Sequence, residues 1–233
     1  MRNIDRLTIE NMDIYYPLTQ KKELIKRISK NVFKNGNLLD LGCGTMPYKK
    51  LILENSGVTS YVGVDIENPI YQKTLKPDFF WDGFEVPLES STFDNAILIE
   101  VLEHMTKPEN TIKELSRLLK KDANLLITVP FLWTLHDIPN DEYRYTPFSL
   151  KRMLEDNNFE IINLESFNNW HGSMASMLAL YARRGCPSKH RKLLSTLLLP
   201  LVKYLMKKDL ATTKSNFSEG QMITGIWCLA RRK

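Results

Sequence analysis

The stretch LLDLGCGTMPY, residues 38–48, decides the fold, and YVGVD at residues 61–65 extends the pattern. The apolar residues 38–41 predict a strand, Gly42-Cys43-Gly44 predicts a tight turn, and residues 48–55 predict a helix. Glycines lack a Cβ, so the backbone of the turn can approach a ligand closely. The first turn of the helix adds N–H groups that have no partner inside the helix. Residues 61–65 predict a second strand, so the two segments form a β–α–β unit.

An acid at the end of the second strand indicates a nucleoside ligand. A carboxylate at that position can accept hydrogen bonds from both ribose hydroxyls, and Asp65 stands there. A dinucleotide loop has the pattern G-x-G-x-x-G, but Pro47 occupies the place of the third glycine. Asp40, just before the turn, would repel a phosphate and suit an ammonium group. The pattern therefore favours S-adenosylmethionine, which carries a ribose and an ammonium but no phosphate.

Five segments in chain order resemble the class I S-adenosylmethionine-dependent methyltransferases. They are LLDLGCGT, VGVD, FWDGFEVPLESSTFD at residues 80–94, AILIEVLEHM at 96–105 and LLKKDANLLITVP at 118–130. The resemblance covers residues 36–167, with the last strand near 221–231. It implies an α/β fold with a Rossmann-like, seven-stranded, mostly parallel sheet that has helices on both faces. It also implies an antiparallel last strand and an appended C-terminal helical lobe.

The resemblance extends the cofactor site beyond Asp40 and Asp65. It implies that Asp82 accepts a hydrogen bond from the adenine amino group, with Trp81 beside the ring. The loop after the fourth strand would lie against the methionine end of the cofactor. The expected cofactor-binding residues are Asp40, Gly42, Cys43, Gly44, Thr45, Tyr48, Asp65, Ile66, Trp81, Asp82, Gly83, Glu100 and Val101.

The segment HDIPNDEYRYTP, residues 136–147, follows the fifth strand and is dense in polar and aromatic side chains. A solvated surface loop would have the same composition. In an open α/β sheet, however, ligands bind at the carboxyl ends of the strands. Similar His…Asp…Arg-Tyr-Thr-Pro segments occur at this place in a bacterial subgroup of the family that often accompanies polysaccharide or glycolipid biosynthesis. The expected substrate-binding residues are Tyr143, Arg144 and Tyr145.

A hydroxyl acceptor needs a base to remove its proton during the attack. His136 is the first candidate, and His104 and Asp137 come behind it. The family pattern places His104 near the transferred methyl group, where it could also serve only as a hydrogen-bonding support. An amine that is already deprotonated would need no dedicated base, so O- and N-methylation both stay open.

The bulk composition is that of a globular protein. The chain has 233 residues, of which 43% are hydrophobic and 25% charged, as in ordinary soluble domains. Its three cysteines are far apart and show no CxxC or Cys/His spacing, so we expect neither a disulfide framework nor a metal site. The N-terminus MRNIDRLTIENMDIYY lacks the apolar stretch of a signal peptide, which favours a cytoplasmic location.

The chain is expected to contain four segments. These are a helical cap over 1–35, the cofactor-binding core over 36–168, a helical substrate lobe over 169–210, and the last strand within 211–233. The net charge is +5, and residues 183–208 carry eight Lys or Arg and no acid. The apolar run at 193–206 is shorter than the roughly 20 residues that span a bilayer. Residues 188–210 therefore predict either a buried cap or dimer helix, or an interfacial helix on anionic lipid.

The favoured function is methyl transfer from S-adenosylmethionine to a small-molecule acceptor, in particular a hydroxyl of a sugar or lipid-linked saccharide. A nucleic-acid methyltransferase is an alternative because the pI is about 9.0. The N-P-P-Y type motif that would serve base amino groups is replaced by Glu100-Val101-Leu102-Glu103, so no nucleic-acid partner is expected. A non-catalytic scaffold of the same fold is the third possibility, and the intact glycine turn and Asp65 count against it. The sequence leaves the oligomeric state open.

Overall fold

The computed structural model describes residues 6–67, 76–210 and 217–233. The chain divides into two compact units. The sheet unit comprises Leu24–Pro130, Leu135–Leu164 and Ile226–Lys233, and the helical unit comprises Met1–Glu23, Phe131–Thr134 and Glu165–Gly225. The first residues of the expected last segment, 211–216, lie outside the described residues.

Seven strands form one sheet in the order β3-β2-β1-β4-β5-β7-β6. Strand β1 pairs in parallel with β2 and β4, β2 with β3, and β4 with β5. The strand bounds are β1 Asn37–Leu41, β2 Ser60–Ile66, β3 Phe79–Trp81, β4 Phe93–Ile99, β5 Leu119–Pro130, β6 Phe159–Ser166 and β7 Gly225–Arg232. The last strands are antiparallel and helices flank the sheet, so the predicted Rossmann-like fold class is confirmed.

The strand order indicates where a ligand-binding crevice lies in the sheet unit. From β1 the chain continues outward to β2 and β3, and it then returns to the other side of β1 as β4. A reversal of this kind opens a crevice at the carboxyl ends of the two strands that flank it. The apolar side chains of β1 and β4, including Leu39 and Ile97, are fully buried, as expected for central strands that are covered on both faces. The loops after β1 and β4 therefore leave a rigid base and face the same crevice.

The described residues form six α-helices, of which the first precedes β1 and the others lie between strands. They are α1 Tyr15–Asn31, α2 Lys49–Asn55, α3 Pro108–Leu118, α4 Pro147–Asp156, α5 Trp170–Leu180 and α6 Arg191–Leu210. A single 3-10 turn, Leu102–His104, follows β4. The start of α4 is a capping box in which the Thr146 side chain accepts from Ser149 N, with Pro147 as the first helical residue. This confirms the helix start that Thr146-Pro147 predicts.

The helical unit is built around α5 and α6. A buried cluster of Met12, Ala175, Ala179, Val202 and Met206 joins them to the N-terminal segment. The Asp209 carboxylate of α6 accepts from Asn169 N at 2.9 Å and Gly172 N at 2.8 Å, so it satisfies N–H groups at the start of α5. No helix among the described residues is long and apolar enough to cross a membrane.

Candidate functional site

The turn after β1 has one packed glycine and one open glycine. The N–H groups of Gly42 and Cys43 both donate to Val64 O of β2, at 2.8 and 3.1 Å. Gly42 has φ +74°, and a Cβ added there would lie 2.4 Å from Val101 Cγ2. Gly44 has φ +52°, and an added Cβ would meet nothing within 4 Å. The turn is therefore packed against the loop after β4 at Gly42 and open to a ligand at Gly44.

Asp65 at the end of β2 closes the same turn. Its carboxylate accepts from Gly44 N through Oδ2 and from Ile66 N through Oδ1, the latter at 2.7 Å. Burial raises the pKa of Asp65, and the two backbone hydrogen bonds oppose that rise. A carboxylate has about four lone-pair sites, so two ribose hydroxyls can still bind. An open glycine face beside such a carboxylate fits the sugar and methionine parts of S-adenosylmethionine.

Asp40 is buried beneath the turn. The Tyr61 hydroxyl donates to Asp40 Oδ2, and the side chain is only 3% exposed. Burial raises the pKa of Asp40 to about 7, and nearby Asp65 adds to the rise, whereas the Tyr61 hydrogen bond and Lys49 oppose it. A cation that approached this carboxyl would favour its ionised form. Contact with the cofactor ammonium group remains a prediction.

The remaining predicted cofactor-binding residues near the turn differ in how exposed they are. Cys43 is buried with its Sγ beside Gly63 of β2, and burial raises the pKa of its thiol. Thr45 is exposed, and Tyr48 is half-buried at the N-cap of α2. All three cysteines of the chain are free and buried, as the absence of a disulfide pattern predicts.

The end of β3 carries the residues that are predicted to bind adenine. Trp81 pairs in register with Ile66 of β2 and is 6% exposed. Asp82 Oδ1 accepts from Phe84 N at 2.8 Å and Glu85 N at 2.9 Å, and these bonds lower the pKa of Asp82. Gly83 takes a positive φ of +86° in the turn between them. The carboxylate of Asp82 is thus held in one orientation at the surface through a single oxygen.

The loop after β4 leads from the glycine turn to a cluster of ionisable groups. Glu100 adopts φ +54°, and its Oε1 accepts from Thr128 Oγ1 of β5 at 2.8 Å. Val101 covers Gly42, and the 3-10 turn Leu102–His104 follows directly. The Glu103 side chain is fully buried, whereas His104 is one-fifth exposed.

The three predicted catalytic residues meet around Glu103. His104 Nε2 lies 3.8 Å from Glu103 Oε1 and 3.9 Å from Asp137 Oδ2. His136 Nε2 lies 4.0 Å from Glu103 Oε1. The two imidazole rings are edge-to-face, with centroids 4.8 Å apart. The structure therefore brings the histidines of two separate loops to one buried carboxylate.

The segment after β5 is docked onto the Leu102–His104 turn by its own backbone and side chains. Glu142 N and Tyr143 N both donate to Glu103 O, at 2.9 and 3.1 Å. The Tyr145 hydroxyl donates to Leu102 O at 3.1 Å, and Tyr145 is only 4% exposed. Tyr145 therefore supports this turn, and its expected contact with a substrate stays a prediction. Tyr143 is 40% exposed.

Asp141 holds the histidine side of the segment. Its carboxylate accepts from both terminal nitrogens of Arg144, at 2.6 and 2.8 Å. It also accepts from His136 N at 3.2 Å and lies 3.3 Å from His136 Nδ1. The Arg144 guanidinium holds the pKa of Asp141 well below its usual range. Arg144 thus acts on His136 through Asp141, and its expected contact with substrate stays a prediction.

Sequence reasoning did not select Glu103 or Asp141 as site residues. The available signal was the E-x-x-E-H pattern of residues 100–104 and the acid five positions after His136. Neither pattern shows which carboxylates turn inward, because that depends on how the two loops dock.

Comparisons with known proteins identify a family and a fold. The profile of the family described as Methyltransferase domain matches residues 12–164. A SAM-dependent methyltransferase from Archaeoglobus fulgidus is 19% identical, with a TM-score of 0.57 over 94% of this chain and 100% of that one. The cyclase SpnF is 18% identical, with a TM-score of 0.55 over 91% of this chain and 80% of that one. These structural likenesses show the fold.

One curated relative is similar in sequence. The uncharacterized protein MJ1252 of Methanocaldococcus jannaschii is 25% identical over 133 residues. The match covers 54% of this chain and 52% of the relative, so the chain spans about half the length of the curated relative it matches.

Proposed function

The chain belongs to the methyltransferase domain family, and from that premise we propose that it methylates a hydroxyl group of a sugar or lipid-linked saccharide. The family and its cofactor, S-adenosylmethionine, are those that the sequence predicts. The observation that carries the proposal is the position of the His104–His136–Glu103 cluster. Glu103 and His104 of this cluster follow closely after Val101, the residue that packs against the glycine turn, and His136 joins them from the loop after β5.

Bound S-adenosylmethionine supplies a methyl group that is already activated on its sulfonium. The protein must therefore align the acceptor with that methyl group and remove the acceptor proton. His136 is suited to the second task because its Nδ1 faces the Asp141 carboxylate at 3.3 Å. A proton on Nδ1 leaves Nε2 with its lone pair, directed into the cluster. His104 Nε2 and Asp137 Oδ2, which lie 3.9 Å apart, are further proton acceptors in the same cluster.

The surface around the cluster supports a saccharide acceptor. Tyr143 presents an exposed aromatic ring, and Leu135 and Ile138 of the same segment are 73% exposed. Aromatic and apolar side chains bordering polar groups are typical of small-molecule sites. The segment therefore offers a ring to stack on a sugar face beside groups that can bind its hydroxyls.

We further propose that the helical unit touches anionic lipid through α6, which would bring the enzyme to a lipid-linked acceptor. Leu193, Leu197, Leu201 and Tyr204 are exposed at helical spacing. Lys192, Lys203, Lys207 and Lys208 are exposed on the same helix. Leu198 and Leu205 of the same helix pack on the buried cluster of the unit instead. Only part of the apolar run at 193–206 can therefore face lipid.

Mass spectrometry of glycans and glycolipids from cells with and without the gene tests the acceptor. We expect a saccharide component that loses the mass of one CH₂ when the gene is absent. Re-expression of the wild type should restore the mass, whereas a Gly44→Val variant should not. Unchanged glycans and glycolipids together with loss of a methylated nucleoside in RNA or DNA would refute the saccharide assignment.

A further inference from the structure

We propose that Glu103, His104 and His136 bind a divalent transition-metal ion, with Asp137 as an additional oxygen ligand. This cluster is the group of possible metal ligands found in the described part of the chain. The sequence alone gave no reason to expect it, because its members come from two loops separated by the whole of α3 and β5. The metal role rests on the proposed acceptor side of the site and deepens it.

The distances suit ligands that share an ion. The ligand atoms of the three residues lie within 4.8 Å of one another, and both histidine Nε2 atoms lie 3.8–4.0 Å from Glu103 Oε1. Such separations are too long for hydrogen bonds. Two ligands that each lie about 2.0–2.2 Å from one tetrahedral zinc-like ion are separated by roughly 3.3–3.6 Å. The three ligand atoms would therefore move closer together, through side-chain rotations, when an ion binds.

The second nitrogen of each histidine is held as in metal-bound histidines. His104 Nδ1 lies 2.9 Å from the carbonyl oxygen of Asn140, and His136 Nδ1 faces Asp141 Oδ2 at 3.3 Å. A ligating histidine commonly donates its other N–H to a carbonyl or carboxylate, which fixes the tautomer and orients the ring. Here Nδ1 of His104 has such a hydrogen-bond partner, and Nδ1 of His136 lies within ion-pair distance of a carboxylate. Both rings direct Nε2 towards Glu103.

Charge favours a cation at this point. The Glu103 side chain is completely buried, and a buried carboxylate is costly unless positive charge lies near it. A single proton could serve only one of the three groups, whereas a divalent ion would be bound by all of them. Imidazole nitrogens together with carboxylate oxygens suit Zn²⁺, Fe²⁺, Co²⁺ or Ni²⁺, whereas Ca²⁺ and Mg²⁺ prefer oxygen ligands alone.

The ion gives the acceptor hydroxyl a way to lose its proton. A hydroxyl oxygen that binds a divalent ion becomes more acidic, and its proton passes to the Asp137 carboxylate oxygen that does not bind the ion; the Asp137 side chain is half exposed. The oxygen then forms a bond to the methyl carbon while the bond between that carbon and sulfur breaks, leaving a neutral thioether. In this arrangement His136 binds the ion through Nε2 and Asp137 acts as the base. Two neighbouring hydroxyls of a sugar could bind the ion together, which favours a vicinal diol as acceptor.

Cobalt titration of the tag-free, chelator-treated protein tests the site without any turnover. We expect one Co²⁺ per chain, with visible d–d absorption that Zn²⁺ displaces. Asp141→Asn removes only a supporting contact, so we expect it to weaken the affinity for Co²⁺ by about 10–100-fold. His136→Ala and Glu103→Gln remove ligands and should weaken that affinity more. His190→Ala, which removes an exposed histidine of the helical unit, is the control and should bind normally. Circular dichroism checks that each variant is folded. If Glu103→Gln does not fold, Asp137→Asn replaces it as the test of a carboxylate ligand.

Two results would overturn the proposal. One is a wild type that binds no Co²⁺ or Zn²⁺ at millimolar concentration, or that binds them equally after His136→Ala. The other is methyl transfer that continues undiminished in chelator, which would remove the ion from acceptor activation. Calorimetry with S-adenosylmethionine on the chelated protein keeps the cofactor site separate. Normal cofactor affinity without metal binding refutes the metal site alone, whereas loss of cofactor binding refutes the proposed function.

Discussion

Replacing Gly44 by alanine should separate the fold from the cofactor site. A non-glycine residue in the left-handed region costs about 1–2 kcal/mol, and the added Cβ would meet nothing within 4 Å. The cofactor-free protein should therefore lose only about 2–8 °C in Tm, as expected for a chain of this length. The new methyl group would occupy the space that we assign to the methionine part of S-adenosylmethionine. Overpacking of about 1–3 kcal/mol corresponds to a Kd roughly 5–150-fold higher.

Gly42→Ala is the matched variant, because Gly42 also has a positive φ. Its new Cβ would lie 2.4 and 2.7 Å from the two Cγ atoms of Val101, and a β-branched side chain has little freedom to move away. Adding overpacking to the left-handed penalty gives a loss of about 2–5 kcal/mol. Val101→Ala removes both Cγ atoms, so the double variant should recover part of the stability that Gly42→Ala loses.

Urea unfolding of the cofactor-free variants and calorimetry with S-adenosylmethionine measure the two effects separately. Wild-type affinity in a folded Gly44→Ala protein would mean that the open glycine face does not receive the cofactor. A Gly44→Ala protein as unstable as Gly42→Ala would refute the packing assigned to the turn.

Three further predictions concern the cofactor carboxylates and α6. Asp65→Ala should raise the Kd for S-adenosylmethionine at least about tenfold, since hydrogen bonds to a charged group contribute about 1.5–3 kcal/mol; unchanged calorimetry would exclude Asp65 from the site. Because the pKa of Asp40 is raised to about 7, the folded chain holds a proton on this group that the unfolded chain releases. The free energy of unfolding should therefore fall as the pH rises from about 4 to 7, by roughly 4 kcal/mol in all. Asp40→Asn should remove that slope in urea unfolding and exceed the wild type in stability at pH 8 but not at pH 4; parallel curves would contradict the assignment. In liposome sedimentation, binding of the protein should require anionic lipid and fall with salt, since each basic residue contributes about 1 kcal/mol that is screened over about 8–10 Å. Leu197→Glu should abolish this binding. Wild-type protein that stays in the supernatant at low salt would exclude the lipid contact.

The conformation of the glycine turn was predictable because its signals are local. Gly42, Gly44 and Asp65 lie within one β–α–β unit, and each has a conformational or chemical reason to stand where it does. The helix boundaries were less predictable. The spacing of apolar residues predicts a helix from residue 18, whereas α1 begins at Tyr15, since the first turn needs no buried side chain to form.

Strand β5 shows why pairing overrides composition. The apolar run predicts a strand from residue 124, yet β5 begins at Leu119 and includes the exposed Lys121 and Asp122. Phe93 pairs with Leu119, whereas Asn95 pairs with Asn124, so an irregularity in register absorbs the additional residues. Backbone pairing with β4 extends the strand over residues whose side chains favour solvent, and hydrophobic patterning cannot detect such an extension.

The acceptor half of the site depends on docking between two loops, which no single stretch of sequence encodes. Glu103 O accepts two N–H groups from the segment after β5, and Arg144 fixes Asp141 against His136. Both loops leave neighbouring parallel strands, so the sheet sets their separation before any ligand binds. A site held in this way has little reorganisation to complete when substrates arrive. Changes at Asp141 or Arg144 should therefore disturb the acceptor side through His136, while the carboxylate of Asp65 and the glycine turn keep their own hydrogen bonds.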